Sequence, residues 1–125
     1  MNDKKLVSII VLAEHSPVEK INEALTNISQ QTYRNVEVLV SHFNRADLES
    51  TQQYWNTKFS NIYWIETPVN LEIIETPLKL AKGDFVFYKS INPIFWMLRH
   101  IEHHLDLFGW DKKASWSYSF LEYRN

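Results

Sequence analysis

Gln31-Thr32-Tyr33-Arg34-Asn35-Val36-Glu37-Val38-Leu39-Val40 decides the fold, because it runs the end of a helix straight into a strand. Upstream of it, Val18, Ile21, Ala24, Leu25 and Ile28 recur at helical spacing and make one apolar stripe. Ser16-Pro17-Val18-Glu19 marks the start of that helix. Ser16 is placed to cap it, Glu19 to reach back to the cap, and Pro17 stands where a missing amide costs nothing. Downstream, Val36, Val38, Leu39 and Val40 are the core of a strand that ends near Ser41. Before the helix, Leu6-Val7-Ser8-Ile9-Ile10-Val11-Leu12 follows Lys4 and Lys5 as a continuous, β-branched run. Such a run reads as a strand buried on both faces, as in a parallel sheet.

The alternation continues. A second helix is predicted between Asn44 and Phe59, with Asn44 as its cap and Leu48, Tyr54, Trp55 and Phe59 as its buried residues. Ile62 to Ile65 is a short strand. Thr76-Pro77 starts a short helix that stops at Gly83, read as a left-handed terminator. Phe85 to Tyr88 is the fourth strand, a helix follows from about Pro93 to Phe108, and Ala114 to Leu121 is a final strand. Strands alternating with helices imply an α/β three-layer sandwich with a mainly parallel sheet, one domain over residues 1–125.

Composition removes several functions. The net charge of −2 gives no electrostatic case for nucleic acid or an anionic membrane as partner. There is no cysteine, so disulfides, thiolate nucleophiles and cysteine-rich zinc sites are excluded. No apolar run approaches the roughly 20 residues that span a bilayer. Leu6 to Ala13 lacks the small-residue cleavage site of a secretory signal, so a soluble cytoplasmic chain is expected. The two glycines, Gly83 and Gly109, cannot form a glycine-rich phosphate loop. No G-x-S-x-G elbow supports a serine hydrolase.

The order of segments resembles the N-terminal, nucleotide-sugar-binding half of the family 2 glycosyltransferases, whose fold is called GT-A. Val7-Ser8-Ile9-Ile10-Val11 is similar to their first strand, Leu25 through Gln31-Thr32-Tyr33 to their first helix end, and Asn35 to Val40 to the strand after it. Ala81-Lys82-Gly83-Asp84-Phe85-Val86 is similar to the approach to their catalytic strand, with Asp84 closing the turn. The resemblance runs from about residue 6 to residue 121. It implies an aspartate at the end of the second strand to hold the base; this chain has His42. It implies an Asp-x-Asp motif at the end of the fourth strand to hold magnesium or manganese; this chain has Lys89-Ser90-Ile91. The first strand leads into Leu12-Ala13-Glu14-His15 rather than a Pro-Thr-Tyr-Asn-like turn, and Glu75 and Pro77 stand where the family has an Asn and a Gly. The family's catalytic base and acceptor half correspond to nothing in the 125 residues, which are truncated relative to full family members.

Magnesium and manganese take hard oxygen ligands, and a carboxylate pair supplies charge as well as oxygen. Protonated Lys89 cannot ligate such an ion, so no metal and no catalytic residue are assigned. Lys89 and Ser90, with His15 and His42, are instead the candidate contacts for a nucleotide phosphate. Glu14 nearby would repel a diphosphate, which favours a solvated strand end. His100 and His104 are four apart and could form a two-histidine metal contact, but the helix pattern favours solvent-facing histidines. The expectation is a pseudoenzyme: a binding or assembly module, not an enzyme as an isolated chain, with a nucleotide sugar or an active glycosyltransferase as partner. Two alternatives stay open. One is a divergent transferase that uses basic groups in place of metal; the other is an oligomeric interaction protein whose aromatic surface makes a homo-oligomer.

Overall fold

A computed structural model describes residues 5–43, 45–67, 72–91 and 96–110. The elements are β1 (Val7–Glu14), α1 (Val18–Ser29), β2 (Val36–His42), α2 (Glu49–Lys58), β3 (Ile62–Glu66), α3 (Glu72–Leu80), β4 (Phe85–Ser90) and α4 (His100–Trp110). The four strands form one sheet in the order β3-β2-β1-β4, parallel throughout. Successive side chains of β1 alternate between faces. Ile9 and Val11 pack with Ile21, Leu25 and Ile28 of α1, Trp55 of α2, and Ile101 and Leu105 of α4. Ile10 and Leu12 face the other way, with Leu39 and Tyr88, against Ile74 of α3 and Ala81. Helices thus cover both faces, which is why β1 carries no polar stripe. The chain winds outward from β1 to β3, then returns to the far side of β1 as β4. That reversal is a topological switch point at the carboxyl ends of β1 and β4, the usual ligand position in such sheets.

The lower rim of the sheet is closed by a polar latch. The buried Glu37 carboxylate accepts hydrogen bonds from the Ser8 hydroxyl (2.5 Å) and the Lys82 amide (2.6 Å). Ser8 Oγ in turn accepts the Gly83 amide (2.8 Å). Asp84 closes the turn expected of it: its carboxylate accepts the Leu6 amide at 3.1 Å and its amide donates to the Leu6 carbonyl at 2.7 Å.

Several sequence expectations are corrected here. Gly83 has no positive φ, so it is not a left-handed terminator. Glycine is needed there for close approach: an added Cβ would lie 2.5 Å from Ser8 Oγ and 2.6 Å from Ser8 N. α3 starts at Glu72 and encloses Pro77 instead of starting at it. Ser16 makes no side-chain cap; Pro17 occupies the N-cap position of α1. α2 starts at Glu49, and Tyr54 is 54% exposed while Trp55 takes the core. Asn44 and the Ala114 to Leu121 strand lie outside the described residues.

α4 begins at His100 because the residues before it are already engaged. Asn27 of α1, buried, donates to the Trp96 carbonyl (2.9 Å) and accepts the Trp96 amide (2.7 Å). Gln31 donates to the Met97 carbonyl (2.8 Å) and accepts the Ile101 amide (3.2 Å). The Thr32 amide donates to the Leu98 carbonyl (2.9 Å). The Met97 carbonyl also accepts the His100 amide (2.9 Å), so the clamp fixes the turn from which the helix starts.

Candidate functional site

The upper rim carries the sequence-predicted residues, and the structure separates them. β1 ends in an irregular turn. Its pairing with β2 shifts register between Leu12 and Glu14, and Glu14 adopts φ 49°, a conformation uncommon outside glycine. His15, next in the chain, is exposed and meets the ring of Phe43 edge-on, with centroids 4.6 Å apart. His42 closes β2 and is buried. Its Nδ1 donates to the Phe43 carbonyl at 2.9 Å, and its own carbonyl accepts the Thr67 amide at 2.8 Å. The imidazole at this position is therefore part of the strand end, sunk below the surface.

Arg45 was not singled out in the sequence, and it organises this rim. Its Nη1 donates to the carbonyls of Ser16 (2.7 Å) and Glu14 (3.3 Å). Its Nε and Nη2 grip both oxygens of Asp47, at 2.6 and 2.8 Å. The fork holds the Asp47 carboxyl below its ordinary range and raises the Arg45 guanidinium. One side chain thus straps the turn after β1 to the turn after β2. An Arg-x-Asp pair after a strand was the available signal.

Lys89 lies elsewhere. Its register partner in β1 is Val11, which also pairs with Val40 of β2. It therefore sits two residues below the level of His42 and two strands away, roughly 12 Å between Cα atoms by ordinary sheet spacings. Only 4% of Lys89 is exposed, and its Nζ lies 5.3 Å from the centroid of the Trp96 ring. Trp96 stacks on His100 (4.7 Å, 13° between planes), and His100 meets His104 at 4.3 Å. Phe87 closes the cluster from β4, 5.8 Å from His104 and 6.0 Å from Trp96. Ser90 is the last residue of β4, in register with Leu12.

The histidines correct the solvent-facing expectation. His104 is buried and His100 is half-buried against Phe87; only His103 faces water. Burial first, then the neighbouring His104, Lys89 and His103, lower the His100 pKa from 6.5 to about 3. The Nε2 of His100 is buried with no hydrogen-bond partner among the described residues. His100 is therefore neutral at pH 7 and packs as an aromatic ring.

This cluster does not fit a divalent cation of the magnesium or manganese type. It offers an ammonium and imidazoles where such an ion needs carboxylate oxygen. Among the described residues, no three His, Asp or Glu side chains converge in a way that could hold a metal. What the arrangement does chemically is bury a cation on an aromatic face, held by α4.

An all-parallel sheet with this strand order and one switch point defines a doubly wound type of α/β domain. Solved structures narrow it. TarS of S. aureus superimposes with a TM-score of 0.69 at 17% identity over 84% of this chain and 19% of its own. Its 1–349 fragment in complex with UDP-GlcNAc gives 0.70 at 19% identity, over 85% of this chain and 32% of the fragment. The mannosyltransferase PcManGT from Pyrobaculum calidifontis, in complex with GDP-Man and Mn2+, gives 0.59 at 22% identity, over 74% and 28%. The chain thus has a GT-A-like glycosyltransferase fold, and spans between a fifth and a third of the length of these structures. No protein-family model and no curated protein matches the sequence. No helix among the described residues is long and apolar enough to cross a membrane.

Proposed function

We propose that this chain is a GT-A-like module that binds or assembles and does not transfer sugar by itself. One observation carries the reading. Lys89 stands where the resemblance places a metal-binding carboxylate, and its ammonium is buried against the Trp96 ring. A transferase that leaves a nucleoside diphosphate must neutralise it in the transition state. On the upper rim the Arg45 fork is already engaged by Asp47 and by two backbone carbonyls. The module's natural partners are then a nucleotide sugar held without turnover, of the kind bound by TarS and PcManGT, or an active glycosyltransferase chain.

Titration calorimetry with UDP-GlcNAc and GDP-mannose, with and without manganese, tests this. The expected result is no gain in affinity on adding manganese and no release of UDP or GDP over hours. Manganese-dependent binding, or sugar transfer that disappears in Lys89→Ala, overturns it.

A further inference from the structure

β3 is the edge of the sheet on the side away from β4, and none of its five residues is fully buried. Among the described residues, nothing pairs with its outer side. The direction of its backbone groups follows from two bonds. The Asn61 carbonyl accepts the Val38 amide, and the Thr67 amide donates to the His42 carbonyl, both at 2.8 Å. In a parallel ladder alternate residues turn both backbone groups to the same neighbour. Tyr63 and Ile65 therefore also face β2, and Ile62, Trp64 and Glu66 direct their N–H and C=O groups outward.

Protein edges are normally guarded by proline, lysine or a bulge. Ile62–Glu66 has no proline and no lysine, and its pairing with β2 runs without a register shift. Its flanks mix apolar and polar groups. Tyr63 is 45% exposed, Ile62 and Trp64 are half-buried, and an open notch of about 480 Å³ beside them is lined by Asn56, Phe59 and Ser60.

We propose that β3 pairs antiparallel with β3 of a second copy of this chain, about a two-fold axis through Trp64. The outward residues are three, and Trp64 is the central one. Under that axis Trp64 lies opposite its counterpart, and Ile62 opposite Glu66, each pair exchanging both backbone hydrogen bonds. An isologous interface needs this self-complementarity. The charges agree with it. Glu66 is the single charged residue of β3, and it falls beside Ile62 of the other copy, at the end where that copy's α2 closes on Lys58. No like charges meet along the seam. A five-residue strand is about 17 Å long and a flanking layer adds about 10 Å, so each copy covers a few hundred Å². That is below the roughly 800 Å² per partner of stable complexes. The dimer is accordingly reversible, with association in the micromolar-to-millimolar range. It lies at the opposite sheet edge from β4 and is independent of any ligand at the switch point.

Sedimentation velocity from about 10 µM to 1 mM should show a monomer shifting to a dimer. Trp64→Lys sets two like charges opposite each other and should weaken association at least tenfold. Glu66→Pro changes an exposed residue and removes an outward N–H while leaving the ladder to β2 intact, so it should weaken association in a chain with native circular dichroism. The chain has no cysteine, so register can be read directly. Trp64→Cys places two thiols on opposed residues, about 5.5 Å between Cα atoms, and should cross-link on mild oxidation. Tyr63→Cys opposes Ile65 and should not. A monomer at 1 mM, a dimer unaffected in folded Glu66→Pro, or equal cross-linking of both cysteine variants each overturns the proposal.

Discussion

The two rims of the sheet handle polar groups in opposite ways. At the lower rim, Ser8, Glu37, Lys82, Gly83 and Asp84 form a closed set in which one residue's donor meets the next residue's acceptor. At the upper rim, His42 is folded into its own strand end, Arg45 straps two turns together, and Lys89 retreats under Trp96. The glycosyltransferase-like motifs fall on the lower rim and on the α1 clamp. The departures from them fall on the upper rim and in α3. The lower-rim residues build the scaffold, while the upper-rim residues are those on which the proposed loss of transfer rests. Likeness in the first set therefore speaks for fold, and activity has to be argued from the second.

This contrast can be broken by experiment, most forcefully at the lower rim. Glu37→Ala leaves the Ser8 hydroxyl and the Lys82 amide without their buried acceptor, and should cost about 3 to 4 kcal/mol in urea denaturation. Gly83→Ala should cost about 3 kcal/mol, since two of the atoms its methyl meets are backbone. A loss under about 1 kcal/mol in both would mean the latch is decorative.

The α1 clamp comes next. Asn27→Ala abandons both backbone groups of Trp96, and a loss of about 2 kcal/mol is expected from the same denaturation series.

Acid acts on the upper rim. His100 is held near a pKa of 3 when folded, against 6.5 when unfolded. Below pH 6.5 the unfolded chain takes up a proton that the folded chain refuses, so stability falls as pH drops and levels off near pH 3. His103, His104 and Lys89 are the groups acting on it, and all of them oppose its charge. The denaturation midpoint of His100→Phe should decline less between pH 6.5 and pH 4 than that of the wild type. Parallel curves would remove His100 from the account.

The smallest effects sharpen the picture. Lys89→Met exchanges a buried cation for an apolar chain of similar length, and should shift stability by no more than about 1 kcal/mol in either direction. Ser16→Ala should stay within about 0.5 kcal/mol, because the hydroxyl makes no cap. A full capping loss of about 1 kcal/mol would restore the sequence reading of that residue.

The fold was legible because burial on both faces leaves a direct mark: Leu6 to Leu12 and Val36 to Val40 have no polar alternation, and only a covered sheet explains that. The four described strands and the helices between them followed. Helix boundaries were less legible wherever side chains compete for backbone. Nothing near Pro93 announces that Asn27 and Gln31, some 70 residues earlier, hold Trp96 to Ile101 and delay α4. Pro77 misled because a proline suits the first turn of a helix better than its middle. At the candidate site, Lys89 was correctly placed at the end of β4, but its direction was hidden. A lysine reads as solvated, and only the aromatic wall of Phe87, Trp96, His100 and His104 makes its burial tolerable. The histidines misled for the same reason: neutral imidazole packs as a ring.

The Asn27 and Gln31 clamp also bears on how the chain reaches its native state. It ties α1 to a segment whose partners lie 66 to 70 positions further on. β1 likewise lacks its second neighbour until β4 exists, so the middle of the sheet is completed last. During synthesis, β1, α1, β2, α2 and β3 emerge with the Asn27 and Gln31 side chains still without these partners. Such late, long-range closure slows folding and leaves a half-built sheet exposed to association with other chains.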